Sequence, residues 1–136
     1  MTGIEPMAYL AARVLSCGVW IPAGLYKAMH FEETVEEIAD HGVPLARLVL
    51  PVVLLIEFGG SALVLADFYT WAACLVWIAF LFPASYVYHG KFVTPGGGID
   101  FVQMVMFFKN VSILGGLIAL IMLDPSRPAW LLRIAA

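Results

Sequence analysis

The sequence predicts an all-α integral membrane protein: a four-helix bundle with a short amphipathic interfacial helix after the first span. Three observations carry this. Hydrophobic residues make up 62% of the chain and charged residues 12%, against roughly 45–50% and 25% in soluble domains. A chain of 136 residues has too small a core to hide that surplus, so it must face lipid. Four mostly apolar stretches are near the roughly 20 residues that a spanning helix needs. None alternates with period two, so the spans are helices and not barrel strands.

The expected spans are residues 7–29, 45–66, 71–88 and 101–123 of a single domain covering 1–136. The N-terminus has no basic region and no small-residue cleavage site, so the first span reads as a retained anchor. Between spans one and two, Phe31, Val35, Ile38 and Ala39 recur at helical spacing and predict the amphipathic helix. Gly42 and Pro44 suit a helix stop and restart. Residues 67–70 form a tight hairpin. The Thr94–Gly98 stretch holds three glycines but no phosphate-loop lysine, so it reads as a flexible link. After Asp124 come two prolines, Trp130, Arg127 and Arg133, the composition of an interfacial anchor. A faint internal echo pairs Ile21-Pro22-Ala23 with Phe82-Pro83-Ala84, and Gly59-Gly60 with Gly115-Gly116; it is compatible with a duplicated hairpin.

Four spans place both termini on one face. Basic residues divide almost evenly between the faces, and the reading leans to cytoplasmic termini in the inner membrane. The net charge of −3 gives no basic patch for nucleic acid. Cys17 and Cys74 lie in apolar stretches at different depths, which argues against a disulfide and for small buried thiols. No metal-ligand spacing is present.

Three ionisable residues fall well inside the spans: Arg13, Glu57 and Lys109. Such residues are costly in hydrocarbon and normally face the bundle interior. Measured from the face bearing the loops after spans one and three, Glu57 lies roughly 18 Å deep, Lys109 roughly 12 Å and Arg13 roughly 24 Å. Those depths lead to an expected Arg13–Glu57–Lys109 network with Asn110 beside it. Helix faces agree with this: Arg13, Ser16, Cys17, Trp20, Gly24 and Lys27 share one stripe, Glu57 shares a face with Gly60 and Ser61, and Lys109 with Ser112 and Gly116. The network can lock the bundle or line a site for a proton, a quinone head group or a small solute. His30, His41 and His89 gather near one membrane face. At helix ends they are poorly placed to face each other across a haem, but they suit solvated, quinone-bonding or proton-relay roles.

These residues together resemble the DoxX family. The resemblance is carried by Arg13, Gly24-Leu-Tyr-Lys27, His41-Gly-Val-Pro44, Glu57-Phe-Gly-Gly60, His89-Gly90, Lys109-Asn110 and Gly115-Gly116, in order, across nearly the whole chain. The proline-rich tail and Pro83 in span three depart from it. The resemblance implies a four-helix inner-membrane protein with a redox-linked role, the family including a subunit similar to that of thiosulfate:quinone oxidoreductase. The chain holds no electron carrier, so it is not expected to be catalytic alone. The leading expectation is a subunit associated with a quinone-linked oxidoreductase. Glu57 would exchange protons; Arg13, Lys109, Asn110 and His89 would bind a quinone or hold the charge network. Expected partners are membrane lipid and other subunits of a membrane redox complex or further copies of the chain. The alternatives are an assembly subunit without its own chemistry and a small-solute transporter.

Overall fold

The structure, a computed structural model, describes residues 4–131; Arg133 of the expected tail anchor lies outside them. Five helices follow in order: α1 Ile4–Met29, α2 Phe31–Asp40, α3 Ala46–Leu65, α4 Thr70–His89 and α5 Phe101–Leu123. All but α2 are long and apolar enough to cross a membrane. The observed ends fall within three residues of the predicted ones. α1 and α4 run unbroken past Pro22 and Pro83, so the half-helices that build many transporter sites are absent among the described residues.

The bundle closes in the order α1, α3, α4, α5, with α5 returning to α1. The core stripe of α3 is Ala46, Leu50, Val53, Glu57, Ser61 and Val64, at three- and four-residue steps. It faces Tyr9, Arg13, Cys17 and Trp20 of α1, all buried. At the centre Trp20 stacks on Trp77 of α4, their rings 4.8 Å apart and 16° from parallel. Trp77 donates its indole N–H to the Ile56 carbonyl at 3.0 Å, and its ring fills the space left by Gly60: a Cβ there would stand 2.5 Å from Trp77 Nε1. The echoed glycine Gly116 has no such neighbour, since a Cβ on it meets nothing within 4 Å. The two halves of the faint repeat are thus packed differently. Cys17 and Cys74 are both buried and free, as expected.

The amphipathic α2 forms where predicted, and its apolar face packs on protein. Ile38 joins Ala46 and Leu50 of α3 in a second small core, flanked by Phe31, Val35, Val43 and Tyr88. A bidentate Arg47–Glu32 pair at 2.8 Å ties the two helices at the surface, where such pairs add little stability.

This topology is checked with reporter fusions at Ser126 and within the Thr94–Gly98 loop. The two should report opposite sides of the membrane; matching signals would contradict four spans.

Candidate functional site

Apart from Lys109, the membrane-embedded charges form two separate clusters, Arg13 with Asp67 at the α3–α4 hairpin and Glu57 with Lys27 toward the other end, so the expected single Arg13–Glu57–Lys109 network is not what the chain builds. Near the termini, Arg13 pairs with Asp67 at 3.1 Å and donates to the carbonyls of Val64 and Leu65, both at 2.7 Å. Tyr9 donates its hydroxyl to Asp67 at 2.9 Å. These bonds hold the α3–α4 hairpin, in which Asp67 and Tyr69 both have left-handed backbone conformations (φ 56° and 51°). Such residues persist only where their surroundings over-determine them. Asp124 completes the end. Buried beyond α5, it accepts from the Trp71 backbone N–H at 2.8 Å, capping the open N-terminus of α4, and from Ser126. Trp130 packs edge-on against Trp71. Arg13 is therefore a clamp on a helix hairpin.

Toward the other end, Glu57 is 2% exposed and its partner is Lys27, with Nζ 2.5 Å from Oε1. The second carboxylate oxygen, Oε2, is buried without a hydrogen-bond partner. Gly24 lets α1 approach here: a Cβ on it would lie 2.9 Å from the Phe58 ring and 3.2 Å from Glu57 Oε2. On α1, one turn before Gly24, the buried Trp20 indole N–H is likewise unpartnered. Glu57 stands in the middle of the α3 core stripe, so packing the helix at all carries the carboxylate inside. Lys27 lies on the α1 stripe but near the helix end, and only about a quarter of its side chain is exposed.

Lys27 meets Glu57 because the ends of α1 and α3 do not lie at one level, as equal depths from that face would require. Gly24 is five residues before the end of α1, and it touches Glu57, eleven after the start of α3. At about 1.5 Å per residue, α3 begins about 9 Å beyond the end of α1, and α2 fills that step. The signal was present in the shared stripe of Arg13, Trp20, Gly24 and Lys27; the interhelical register was not.

The histidines gather at this same end. His41 stacks on Tyr88 at 4.3 Å, tying α2 to α4. His30 stacks on Tyr26. His89 Nδ1 lies 2.7 Å from Gln103 Oε1, which joins α4 to α5, and one turn deeper Asn110 donates to Ser85 Oγ at 3.0 Å. Lys109, in contrast, is exposed on the outer side of α5. No ion pair links it or Arg13 to Glu57 among the described residues, and no group of three metal-ligating side chains occurs among them.

Four helices long and apolar enough to cross a membrane, with the Arg13–Asp67 and Lys27–Glu57 pairs turned into the bundle, define a multi-pass membrane protein of the four-span class. The sequence model of the DoxX family matches residues 8–90, more than half the chain, and the chain belongs to that family. It is similar to inner membrane protein YqjF of Escherichia coli (strain K12), at 31% identity over 125 residues, covering 92% of this chain and 90% of the relative. It is also similar to inner membrane protein YphA of the same organism, at 27% over 121 residues, covering 89% and 86%. The protein is accordingly a multi-pass inner-membrane protein. No solved structure matches it.

Proposed function

We propose that the chain is the membrane-embedded subunit of a quinone-linked oxidoreductase, in which Glu57 exchanges protons that accompany quinone reduction. The observation that carries this is the Lys27–Glu57 pair. One carboxylate oxygen is held by an ammonium that reaches the partly exposed end of α1, while the other is buried and free to carry a proton. Reducing a quinone to its quinol takes two electrons and two protons. The electrons come from a partner subunit with its own redox cofactor; the protons need a titratable group positioned between water and the apolar site. Lys27 and the histidine end supply the water side. A head group at that end would find donors in His89 and Asn110, exchanging their present bonds to Gln103 and Ser85. Arg13, engaged at the opposite end, takes no part.

One observation favours the assembly reading: Trp20 and Trp77 stack tightly at the bundle centre, and the Phe58 ring and Glu57 both crowd Gly24, as in a purely structural bundle. The two readings separate in the native complex, purified in mild detergent and supplied with a water-soluble quinone analogue. Glu57→Gln keeps the shape and a hydrogen bond to Lys27, so the complex should stay intact. On the proton-exchange reading quinone reduction falls by about tenfold or more, equivalent to about 1.4 kcal/mol in the barrier. An unchanged rate in an intact complex would leave the chain as an assembly subunit.

A further inference from the structure

Of the four seams between neighbouring spans, the one between α1 and α5 packs least closely. Along it runs an open apolar groove of about 440 Å³, with Ala12, Ser16 and Val19 of α1 on one side and Ile113, Gly116 and Ala119 of α5 on the other. Leu117 and Leu120, both buried, lie at its base. A side chain on Gly116 would meet nothing within 4 Å.

The groove leads toward the end of the bundle where α1 starts and α5 stops. There Leu123 also lines a second open pocket, of about 380 Å³, which Glu5 of α1 and Arg127 just past α5 share. The two charges do not pair with each other, and neither has an ion-pair partner among the described residues. Arg127 donates one N–H to the Asp124 carbonyl at 2.8 Å, and its Nε is buried without a hydrogen-bond partner. One acid and one base thus stand unneutralised at the end of an apolar groove.

The length of the groove matches a lipid. Its lining stops at Val19 and Ile113. Val19 is about 21 Å along α1 from Glu5, half of the roughly 40–45 Å of a bilayer with its polar regions. A lipid of one leaflet fills that length, whereas a spanning helix would need a face that continues through the other leaflet.

We propose that this groove holds one phospholipid whose head group carries a phosphate and a primary ammonium. Arg127 binds the phosphate, which suits the forked donors of a guanidinium. Glu5 accepts from the ammonium, and an acyl chain lies over Leu117 and Leu120. Charge selects the head group: a quaternary ammonium has no N–H to give Glu5, and a purely anionic head group repels it. The site is at the end opposite the Lys27–Glu57 pair, so the inference goes beyond the proton-exchange reading. Its test reads lipid binding, not quinone reduction, and either can fail alone.

The test is native mass spectrometry of the full chain, delipidated in mild detergent and titrated in turn with dioleoyl phosphatidylethanolamine, phosphatidylcholine and phosphatidylglycerol. One ethanolamine lipid should bind saturably, about tenfold or more tighter than either of the others, a difference of about 1.4 kcal/mol. Glu5 is exposed, so its substitution leaves the bundle intact. Glu5→Gln should erase the preference over the choline lipid, and Glu5→Lys should turn the preference to the glycerol lipid. Gly116→Leu, which fills the groove from an uncrowded position, should weaken all three lipids by about tenfold. Soluble phosphoethanolamine, which has no acyl chain, should not compete at the same concentration. Equal binding of the three lipids, an order indifferent to both Glu5 substitutions, binding unchanged by Gly116→Leu, or the mass of a second copy gained in place of lipid would each overturn the proposal.

Discussion

Lys27→Met should destabilise the folded bundle by about 3–5 kcal/mol, the usual result of removing one partner of a buried ion pair. The size follows from where the charge remains. Glu57 is almost wholly buried, one of its oxygens already lacks a partner, and without Lys27 the other oxygen loses its only ion pair. Hydrocarbon and aromatic rings cannot replace that ammonium. Combining Lys27→Met with Glu57→Leu should recover much of the loss, because an apolar pair of suitable volume carries no uncompensated charge. Unfolding by sodium dodecyl sulfate titration in mixed micelles measures both variants. A loss under about 1 kcal/mol for the single substitution would mean that the pair does not hold the carboxylate in place.

The second large effect is at the bundle centre. Trp77→Ala should cost about 3–5 kcal/mol, the range for truncating a large buried aromatic. Trp77 is fully buried, stacks on Trp20 and bonds the Ile56 carbonyl. Gly60→Ala attacks the same contact from the other side. Its new methyl would stand 2.5 Å from Trp77 Nε1, an overpacking that typically costs about 1–3 kcal/mol. Because both changes act through one contact, they should not add. In the Trp77→Ala background the three atoms nearest the new methyl are gone, and alanine is the better helix former by about 0.5–1 kcal/mol, so Gly60→Ala should there be neutral or stabilising. The same micelle titration gives all four corners of the cycle. Strict additivity would place the strain at Gly60 on some other neighbour.

Glu57 shows how far a single residue's sequence context reaches. Its burial was legible, because a carboxylate within an apolar 20-residue run must turn inward. Its partner was not, because the two cations within about 6 Å of it in depth by sequence are Arg13, which bonds Asp67, and Lys109, which turns outward, while Lys27 lies near the end of its span. In the sequence Asp67 merely opens the hairpin link and Asp124 the tail. Only the closeness of the hairpin to α1 and of the tail to α4 gives them their roles as a counter-ion and a helix cap.

By itself the sequence determined the four spans, the short helix after the first and the family, because hydrophobic length and helical periodicity are properties of one segment at a time; the Thr94–Gly98 stretch, expected as a flexible link, is a hydrogen-bonded turn closed by a Val93–Ile99 bridge. The tertiary structure decided which charge meets which. That choice depends on how far one helix slides and turns against another, and here the slide is set by close approaches at Gly24 and Gly60 and by the step that α2 fills between α1 and α3. A shift of one turn, about 5.4 Å, is enough to exchange partners in an ion pair, and no local pattern in the chain records it.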